Sequence, residues 1–341
     1  RLISDEFNAQ QFVLAKHAAN SIEKNFKILK NELSTLSLSP SIQYVESISW
    51  RNRMAISLAN TQEFGVYRIL RITANGKKAY AVDDNREWVI TDTDYTRKDY
   101  FIWCRDPQNR NKVFVGKVDK VMDDGANAAL VLHLAAPVYT MSPAETYPVS
   151  THKFSGVLLF QVKADRLASQ IVGPIRSGKS GYAWVIDQTG NFIYHLEQKF
   201  IGQNAFEARQ LASPHISFNQ INLIQKEKML FGEEGTSWYS SGWHRGEKGP
   251  VKKLIAYAPA RVGSGSHAQV WSVAVVAPIS EVQAAIQNVY IRQIAIQGAF
   301  TIAVLIVLIF LRANEMIWVK ALAGEIRIKT LNLSEYAQRL E

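Results

Sequence analysis

Apolar residues near the start of the chain recur at steps of three and four, which is the repeat of one helix face. The pattern runs from Ile3 to about Leu38, and Pro40 follows, a residue that cannot continue a helix. At 1.5 Å per residue, a helix of this length would extend roughly 50 Å. We therefore predict a long stalk helix over residues 1–40. Two shorter core helices are the alternative.

Two later stretches place strand-forming residues on both sides of a tight turn, which is typical of β-hairpins. One hairpin covers Leu70 to Tyr80 with its turn at Gly76, and the other covers Trp184 to Tyr194 with its turn at Gly190. The two segments align without gaps.

Further strand pairs repeat at a similar offset along the chain. Residues 132–137 precede a strand at 155–162, and residues 254–259 precede another at 270–276. Such internal repetition favours two copies of one strand-rich module over a single large sheet, and chance resemblance between hairpins is the alternative. We predict a first module over 41–165 and a second over 166–280.

A continuous uncharged segment follows the second module. Residues 294–311 are eighteen residues without a charge, and about twenty are needed to cross the hydrocarbon layer. The excess of basic residues after this segment predicts that the C-terminal side faces the cytoplasm. We predict that residues 281–312 end the stalk and span the plasma (inner) membrane, with 1–290 periplasmic or extracellular. The basic residues after the span are Arg312, Lys320, Arg327 and Lys329, against Arg292 before it.

Beyond the span, apolar residues alternate at steps of three and four from Val319 to Leu340, with Lys329 as the one interruption. This heptad pattern predicts a short parallel coiled coil over the cytoplasmic residues 313–341, and hence a homodimer. A single amphipathic helix lying on the inner membrane face is the alternative. Because the chain opens at Arg1 directly in a helical pattern, we expect a further membrane span upstream.

The composition excludes several classes of protein. With 47% apolar and 20% charged residues the chain is globular rather than disordered, and its 341 residues exceed what one core usually serves. The net charge of +9 is scattered among acidic residues, so no nucleic-acid partner is predicted. The lone Cys104 has no disulfide partner, and the histidines lack metal-ligand spacing. We expect no metal and no cofactor.

Residues Gly173 to Ser180 match the phosphate-binding P-loop pattern letter for letter. A functional P-loop follows a strand and opens a helix, so that helix N–H groups meet the phosphates. Here the predicted order is reversed, with a helix at 165–172 before the motif and a strand at 182–186 after it. We therefore predict no nucleotide site. The sequence also shows no Ser, His and acid set in a nucleophile-elbow pattern, so we predict no hydrolase. We do not expect this segment of the protein to be an enzyme.

One segment concentrates groups suited to a small ligand. Between Asp94 and Trp103 the chain places a guanidinium, Arg97, beside the aromatic residues Tyr95 and Tyr100. A guanidinium offers paired donors to a carboxylate, and phenolic hydroxyls add further hydrogen bonds. We predict that these five residues bind a small molecule that can carry a carboxylate. The alternative for Arg97 is a structural ion pair with Asp94 or with Asp99.

Two aromatic residues outside this segment are added to the predicted site. Trp88 and Tyr139 could line the same cavity. Aromatic residues in strands more often pack in the core, which is the alternative for both.

Several motifs in order resemble one family of sensor. They include Tyr67 to Gly76, Tyr95 to Phe101, Ser180 to Gly190 and Tyr257 to Pro259. From about residue 3 to 290 the chain resembles the double Cache sensor domains of histidine kinases, diguanylate cyclases and chemoreceptors. The resemblance implies an α+β fold, with two stacked PAS-like antiparallel-sheet modules on a shared long helix. It also implies a small-molecule ligand in the membrane-distal module.

The segment after the span indicates the type of receptor. It is similar to the coiled-coil lead-in of histidine kinases and lacks the proline of a HAMP helix. We therefore predict the sensing region of a two-component histidine kinase. A diguanylate cyclase or a methyl-accepting chemotaxis receptor is the alternative.

The resemblance also bears on the ligand. Family members that sense amino acids place a tryptophan where this chain has Asp99, and an acidic residue roughly where it has Gln161. Arg97 and Tyr100 match the family pattern. Gln161 is included in the predicted site on this basis. The departures leave a carboxylate, a purine-like molecule or another small polar ligand open.

Overall fold

The computed structural model describes residues 2–45, 48–85, 87–122, 128–141, 151–263 and 267–338. The chain divides into two compact units, Arg1–Val282 and Gln283–Glu341. The predicted heptad position Leu340 lies outside the described residues.

Eight α-helices and eleven strands are assigned in the described ranges. The helices are α1 (Leu2–Ser37), α2 (Pro40–Tyr44), α3 (Ser49–Thr61), α4 (Asp99–Arg105), α5 (Ala164–Val172), α6 (Ala205–Ala212), α7 (Asn219–Glu227) and α8 (Ile279–Gln338). The strands are β1 (Val66–Thr73), β2 (Ala79–Asp83), β3 (Trp88–Thr91), β4 (Phe114–Met122), β5 (Ala128–Tyr139), β6 (Phe154–Lys163), β7 (Tyr182–Ile186), β8 (Phe192–Tyr194), β9 (Gly235–His244), β10 (Glu247–Val262) and β11 (Gln269–Pro278). Short 3₁₀ turns lie at Gln62–Phe64, Pro107–Asn109, Gln198–Phe200 and Met229–Phe231.

The long helix predicted at the start of the chain is confirmed, because α1 continues without a break to Ser37. The central part of its apolar stripe is buried, with Ile22, Leu29 and Leu33 at 0% exposure. This stripe packs in one core with residues from both sheets, and Phe26 meets the Trp271 ring edge-on at 5.2 Å. Both sheets therefore pack against α1.

The first sheet contains six antiparallel strands in the order β3-β2-β1-β6-β5-β4. Gly76 has φ +71° in the β1–β2 turn, a left-handed conformation that glycine adopts without strain. At the other edge, β4 carries an irregularity between Val115 and Val118 that interrupts its pairing with β5. One face of this sheet packs on α1, and α4 covers part of the other.

The second sheet is antiparallel with the order β8-β7-β11-β10-β9, and its β7–β8 turn has Gly190 at φ +85°. Two antiparallel sheets on a long helix confirm the predicted α+β fold class. Each sheet falls inside one of the two predicted ranges, 41–165 and 166–280. Those module boundaries stay predictions.

The second compact unit consists of the continuation of α8, a single helix of 60 residues. Within it, Tyr290–Leu333 is long and apolar enough to cross a membrane by length and composition. Apolar side chains in the predicted span are exposed, among them Ile294 at 66% and Phe310 at 69%. Exposed apolar side chains along a helix are what a lipid environment requires. The coiled coil over 313–341 stays a prediction.

Candidate functional site

A cleft of about 750 Å³ lies against the first sheet, on the side covered by α4. This volume is within the range of small-molecule sites. Its walls come from the segment before α4 and the first turn of α4, from strands β4, β5 and β6, and from the β7–β8 turn and the start of β11 in the second sheet. The lining residues are Tyr95, Arg97, Lys98, Asp99, Tyr100, Phe114, Val115, Gly116, Lys117, Asp119, Val121, His133, Gln161, Gln188, His267, Ala268 and Gln269.

The segment that carries Arg97 is held by a short network of hydrogen bonds. The Asp94 carboxylate accepts bonds from the Thr96 backbone N–H at 2.9 Å and from its hydroxyl at 2.6 Å. These bonds hold the pKa of Asp94 below its ordinary value. The Tyr95 N–H donates to the Gly76 carbonyl at 2.7 Å, which ties the segment to the β1–β2 turn. Asp94 thus shapes the loop and does not itself line the cleft.

Three polar side chains form the floor of the cleft. His133 on β5 and Gln161 on β6 are direct neighbours across the strands, with 3.2 Å between their Nε2 atoms. Because an amide nitrogen only donates, His133 Nε2 accepts, and the ring is neutral with its proton on Nδ1. Burial lowers the pKa of His133, in agreement with a neutral ring. The Tyr100 ring lies 5.3 Å from the His133 ring, and burial raises the pKa of its hydroxyl.

Charged side chains of both signs line the cleft, with the basic ones in excess. Arg97, Lys98 and Lys117 contribute positive charge, while Asp99 and Asp119 contribute negative charge. Arg97 is exposed to solvent. Among the described residues it forms no ion pair within 4 Å with Asp94 or Asp99, the alternative role considered for it. Its guanidinium is therefore accessible to an anion entering the cleft.

The structure brings four of the eight predicted site residues together. Tyr95, Arg97, Tyr100 and Gln161 line the cleft, although Gln161 is more than 60 positions away in sequence. Asp94 belongs to the same loop but does not line the cleft. Trp103 lies beside the cleft, with its ring 5.6 Å from Phe114 and 6.0 Å from His267.

The remaining two predicted residues lie elsewhere. Trp88 is on β3, at the opposite edge of the sheet from β4, and the Arg51 guanidinium lies 3.5 Å over its ring. Tyr139 ends β5, where its ring is 5.8 Å from Phe154 and 5.0 Å from the Arg110 guanidinium. Neither lines the cleft, because strand order and strand length separate them from it.

Sequence reasoning missed several lining residues. Lys117, Asp119 and His133 lie on strands, and a strand alignment pairing β5 with β6 would have placed His133 opposite Gln161. Gln188 and Gln269 come from the second sheet and carry no sequence signal of their own. In the described part of the chain, no group of three His, Cys, Asp or Glu residues could hold a metal ion.

Comparisons with known proteins agree with this architecture. The model of a family described as a Cache domain (dCache_1) matches residues 1–286. No curated protein matches the chain significantly in sequence.

Solved sensor domains share the fold at low sequence identity. The extracellular domain described as that of a histidine kinase, vpHK1S-Z8, has a TM-score of 0.58 at 12% identity, covering 82% of this chain and 94% of that chain. The periplasmic sensory domain of the Campylobacter jejuni chemoreceptor Tlp1 has a TM-score of 0.54 at 11% identity, covering 82% and 98%. The extracellular domain of a second kinase, mmHK1S-Z3, has a TM-score of 0.53 at 12% identity, covering 84% and 98%.

Proposed function

The chain belongs to the Cache-domain family, and we propose that residues 1–290 are the extracytoplasmic ligand-sensing region of a transmembrane signalling receptor. The observation that carries this proposal is the cleft around Arg97 in a chain that also contains a helix apolar enough to cross a membrane. A cleft of this volume, in which aromatic rings lie beside charged and polar side chains, suits the binding of a small polar molecule. A structural or adhesive ectodomain would instead be expected to fill this space with its own side chains.

The charge of the cleft supports a ligand that carries a carboxylate. Arg97 can donate two parallel hydrogen bonds to a carboxylate, and Lys98 and Lys117 add positive charge nearby. Tyr95 and Tyr100 supply hydroxyls and ring faces beside it. Asp99 and Asp119 can accept from a donor group on the same ligand. A small carboxylate with a second polar group satisfies both sets of charges.

We further propose that two copies of the chain form the receptor and that ligand binding favours one of two arrangements of the dimer. Helices that continue from the sensing region through the bilayer can carry such a shift to the cytoplasm. A two-component histidine kinase is the receptor we propose, since the segment after the span lacks the proline of a HAMP helix. The chemoreceptor and diguanylate cyclase alternatives are tested by reading the coding sequence beyond Glu341.

The proposal is tested by thermal unfolding of residues 1–341 in nanodiscs against a fixed panel. The panel contains the twenty amino acids, common mono- and dicarboxylates, and purines. A ligand at 100 times its Kd stabilises the folded state by about 2.7 kcal/mol, which raises Tm measurably. We expect at least one carboxylate to raise Tm. Arg97→Ala should weaken the binding of that carboxylate about tenfold or more, and Arg97→Lys should weaken it less.

Arg105→Ala is the matched control, because Arg105 is an exposed arginine in the last turn of α4 that does not line the cleft. Two outcomes contradict the proposal. Either no panel compound shifts Tm, or a compound that does so binds Arg97→Ala as tightly as the wild type.

A further inference from the structure

The cleft has a wall that does not belong to the first sheet. Gln188 lies in the β7–β8 turn, and His267, Ala268 and Gln269 lead into β11, so all four belong to the second sheet. They face the segment around Arg97 across the same space. A molecule that fills the cleft therefore meets side chains from both sheets.

This wall is attached to the first sheet at an irregularity in β4. The register of β4 against β5 shifts between Val115 and Val118, and β4 is an edge strand. Carbonyl groups at such a place need a partner from elsewhere. The side-chain amide of Gln269 donates to the Val115 carbonyl at 3.2 Å and to the Gly116 carbonyl at 2.6 Å. Gln269 is 6% exposed, so these bonds are shielded from water.

Aromatic packing holds the same wall in place. The His267 ring lies 4.7 Å from the Phe114 ring and 6.0 Å from the Trp103 ring. Phe114 begins β4, and Trp103 is in α4, the helix that follows the Arg97 segment. His267 thus touches both the strand and the helix that frame the cleft.

From this arrangement we infer that the cleft is a composite site, in which Gln188 and His267 of the second sheet contact the part of the ligand remote from its carboxylate. This inference rests on the proposed function and adds a requirement to it. A compound with one carboxylate and no other polar group leaves Gln188 and His267 unmatched. A compound with a second polar group binds more tightly.

A composite site also couples the two sheets. The ligand binds more tightly when Gln188 and His267 are in place, so it stabilises the contact between the sheets that Gln269 maintains. The coupling is reciprocal. Losing the contact therefore weakens ligand binding by the free energy with which the bound ligand stabilises the contact. The second sheet leads directly into α8, the helix that contains the candidate membrane span. Ligand occupancy is thereby linked to the element that we propose transmits the signal.

The test measures Kd by calorimetry for every panel compound that raises the Tm of wild-type protein, against His267→Ala and Gln188→Ala. Each lost hydrogen bond is expected to weaken binding by about threefold to tenfold. Gln269→Met removes both donated bonds at similar volume, and it should lower the Tm of the ligand-free protein as well as the affinity. Controls are His215→Ala and Gln198→Ala, since both are exposed residues of the same region outside the cleft.

Three outcomes separate the two proposals. If His267→Ala and Gln188→Ala weaken binding while His215→Ala and Gln198→Ala do not, the composite site is supported. If Arg97→Ala abolishes binding but His267→Ala and Gln188→Ala bind as the wild type does, the composite site is wrong and the proposed function stands. If no panel compound binds the wild type, the proposed ligand class is overturned, and the composite site with it.

Discussion

The carboxylate of Glu281 accepts a hydrogen bond from the backbone N–H of Lys179 at 2.8 Å. It also accepts from the N–H of Ser180 at 3.3 Å and from the Ser180 hydroxyl. Lys179 and Ser180 are the last two letters of the P-loop pattern. Gly178 before them has no Cβ, and an added one would lie 2.6 Å from Glu281 Oε2. The loop does bind an anion, as P-loops do, but the anion is a side chain in the first turn of α8.

Glu281→Ala is therefore expected to destabilise the folded state. It removes the charged acceptor of two backbone N–H groups and of the Ser180 hydroxyl, which costs about 1–3 kcal/mol. Urea unfolding of the two proteins measures the difference, with the exposed Glu247→Ala as control. A Glu281→Ala protein as stable as the wild type, or a Tm raised by Mg-ATP, contradicts this account of the loop.

The same contact makes a prediction about acid. Burial alone would raise the pKa of Glu281, but the bonds from Ser180 and Lys179 outweigh it and hold the pKa below its ordinary value. A carboxyl with a depressed folded-state pKa contributes stability above its unfolded-state pKa and loses it as pH falls through the folded-state value. The stability gap between wild type and Glu281→Gln should thus close in acid. A gap unchanged from pH 7 to pH 3 refutes the assignment.

Gly76→Ala should damage both the fold and the cleft. A Cβ at Gly76 would lie 2.8 Å from Thr96 Cγ2 and 2.9 Å from Phe101 Cζ, besides the strain of φ +71°. Gly246 has φ +84° with no atom within 4 Å of the added Cβ, so Gly246→Ala isolates the backbone cost of about 1–2 kcal/mol. We expect Gly76→Ala to lower stability by more than Gly246→Ala does, and to weaken the binding of any panel compound that the wild type binds. Equal Tm losses in the two variants would show that the packing is unimportant.

Arg71 on β1 joins helix α2 to strand β6 from a buried position. Its guanidinium donates to the Ile42 carbonyl at 2.7 Å, to the Ser155 carbonyl at 3.0 Å and to the Ser155 hydroxyl at 2.6 Å. Burial lowers the pKa of Arg71 to about 9, so it is charged at neutral pH.

Arg71→Met is expected to cost about 3 kcal/mol, because it leaves buried acceptors without a donor. Guanidinium unfolding measures this loss, with Arg68→Met on the same strand as control, since Arg68 is only half-buried. A loss of stability no larger than that of Arg68→Met would contradict the structural role assigned to Arg71.

Lys253 should make the folded state more stable as the pH rises. It is 0% exposed with its Nζ 3.2 Å from the Tyr182 hydroxyl, and burial lowers its pKa from 10.5 to about 7. Between those values the unfolded chain holds the proton and the folded chain does not, so stability rises with pH.

Lys253→Met should therefore gain stability relative to wild type at pH 6, and this gain should shrink by roughly 2–4 kcal/mol at pH 9.5. Unfolding free energies at the two pH values test this, with the exposed neighbour Lys252→Met as control. An equal gain at both values would mean that Lys253 does not titrate as the burial predicts.

The sequence by itself determined the elements whose signal is local. Each of these elements has a pattern that can be recognised from neighbouring residues alone. They are the stripe from Ile3 to Leu38, the turns at Gly76 and Gly190, and the apolar run at 294–311. All of these appear in the structure as predicted elements. The loop around Arg97 was also readable, because its aromatic and basic residues are adjacent in the chain.

Only the tertiary structure decided which residues share the cleft and which anion the P-loop pattern holds. Gln269 and Gly116 are 153 positions apart, and Ser180 and Glu281 are 101 apart. Such contacts depend on how two sheets pack on one helix, and no local periodicity encodes that packing. Trp88 and Tyr139 were grouped with Arg97 by residue type, whereas the fold places Trp88 on the opposite edge strand, β3, and Tyr139 at the end of β5. Local conformational preferences decide whether a segment forms a helix or a strand, but the packing of the whole core decides which elements become neighbours.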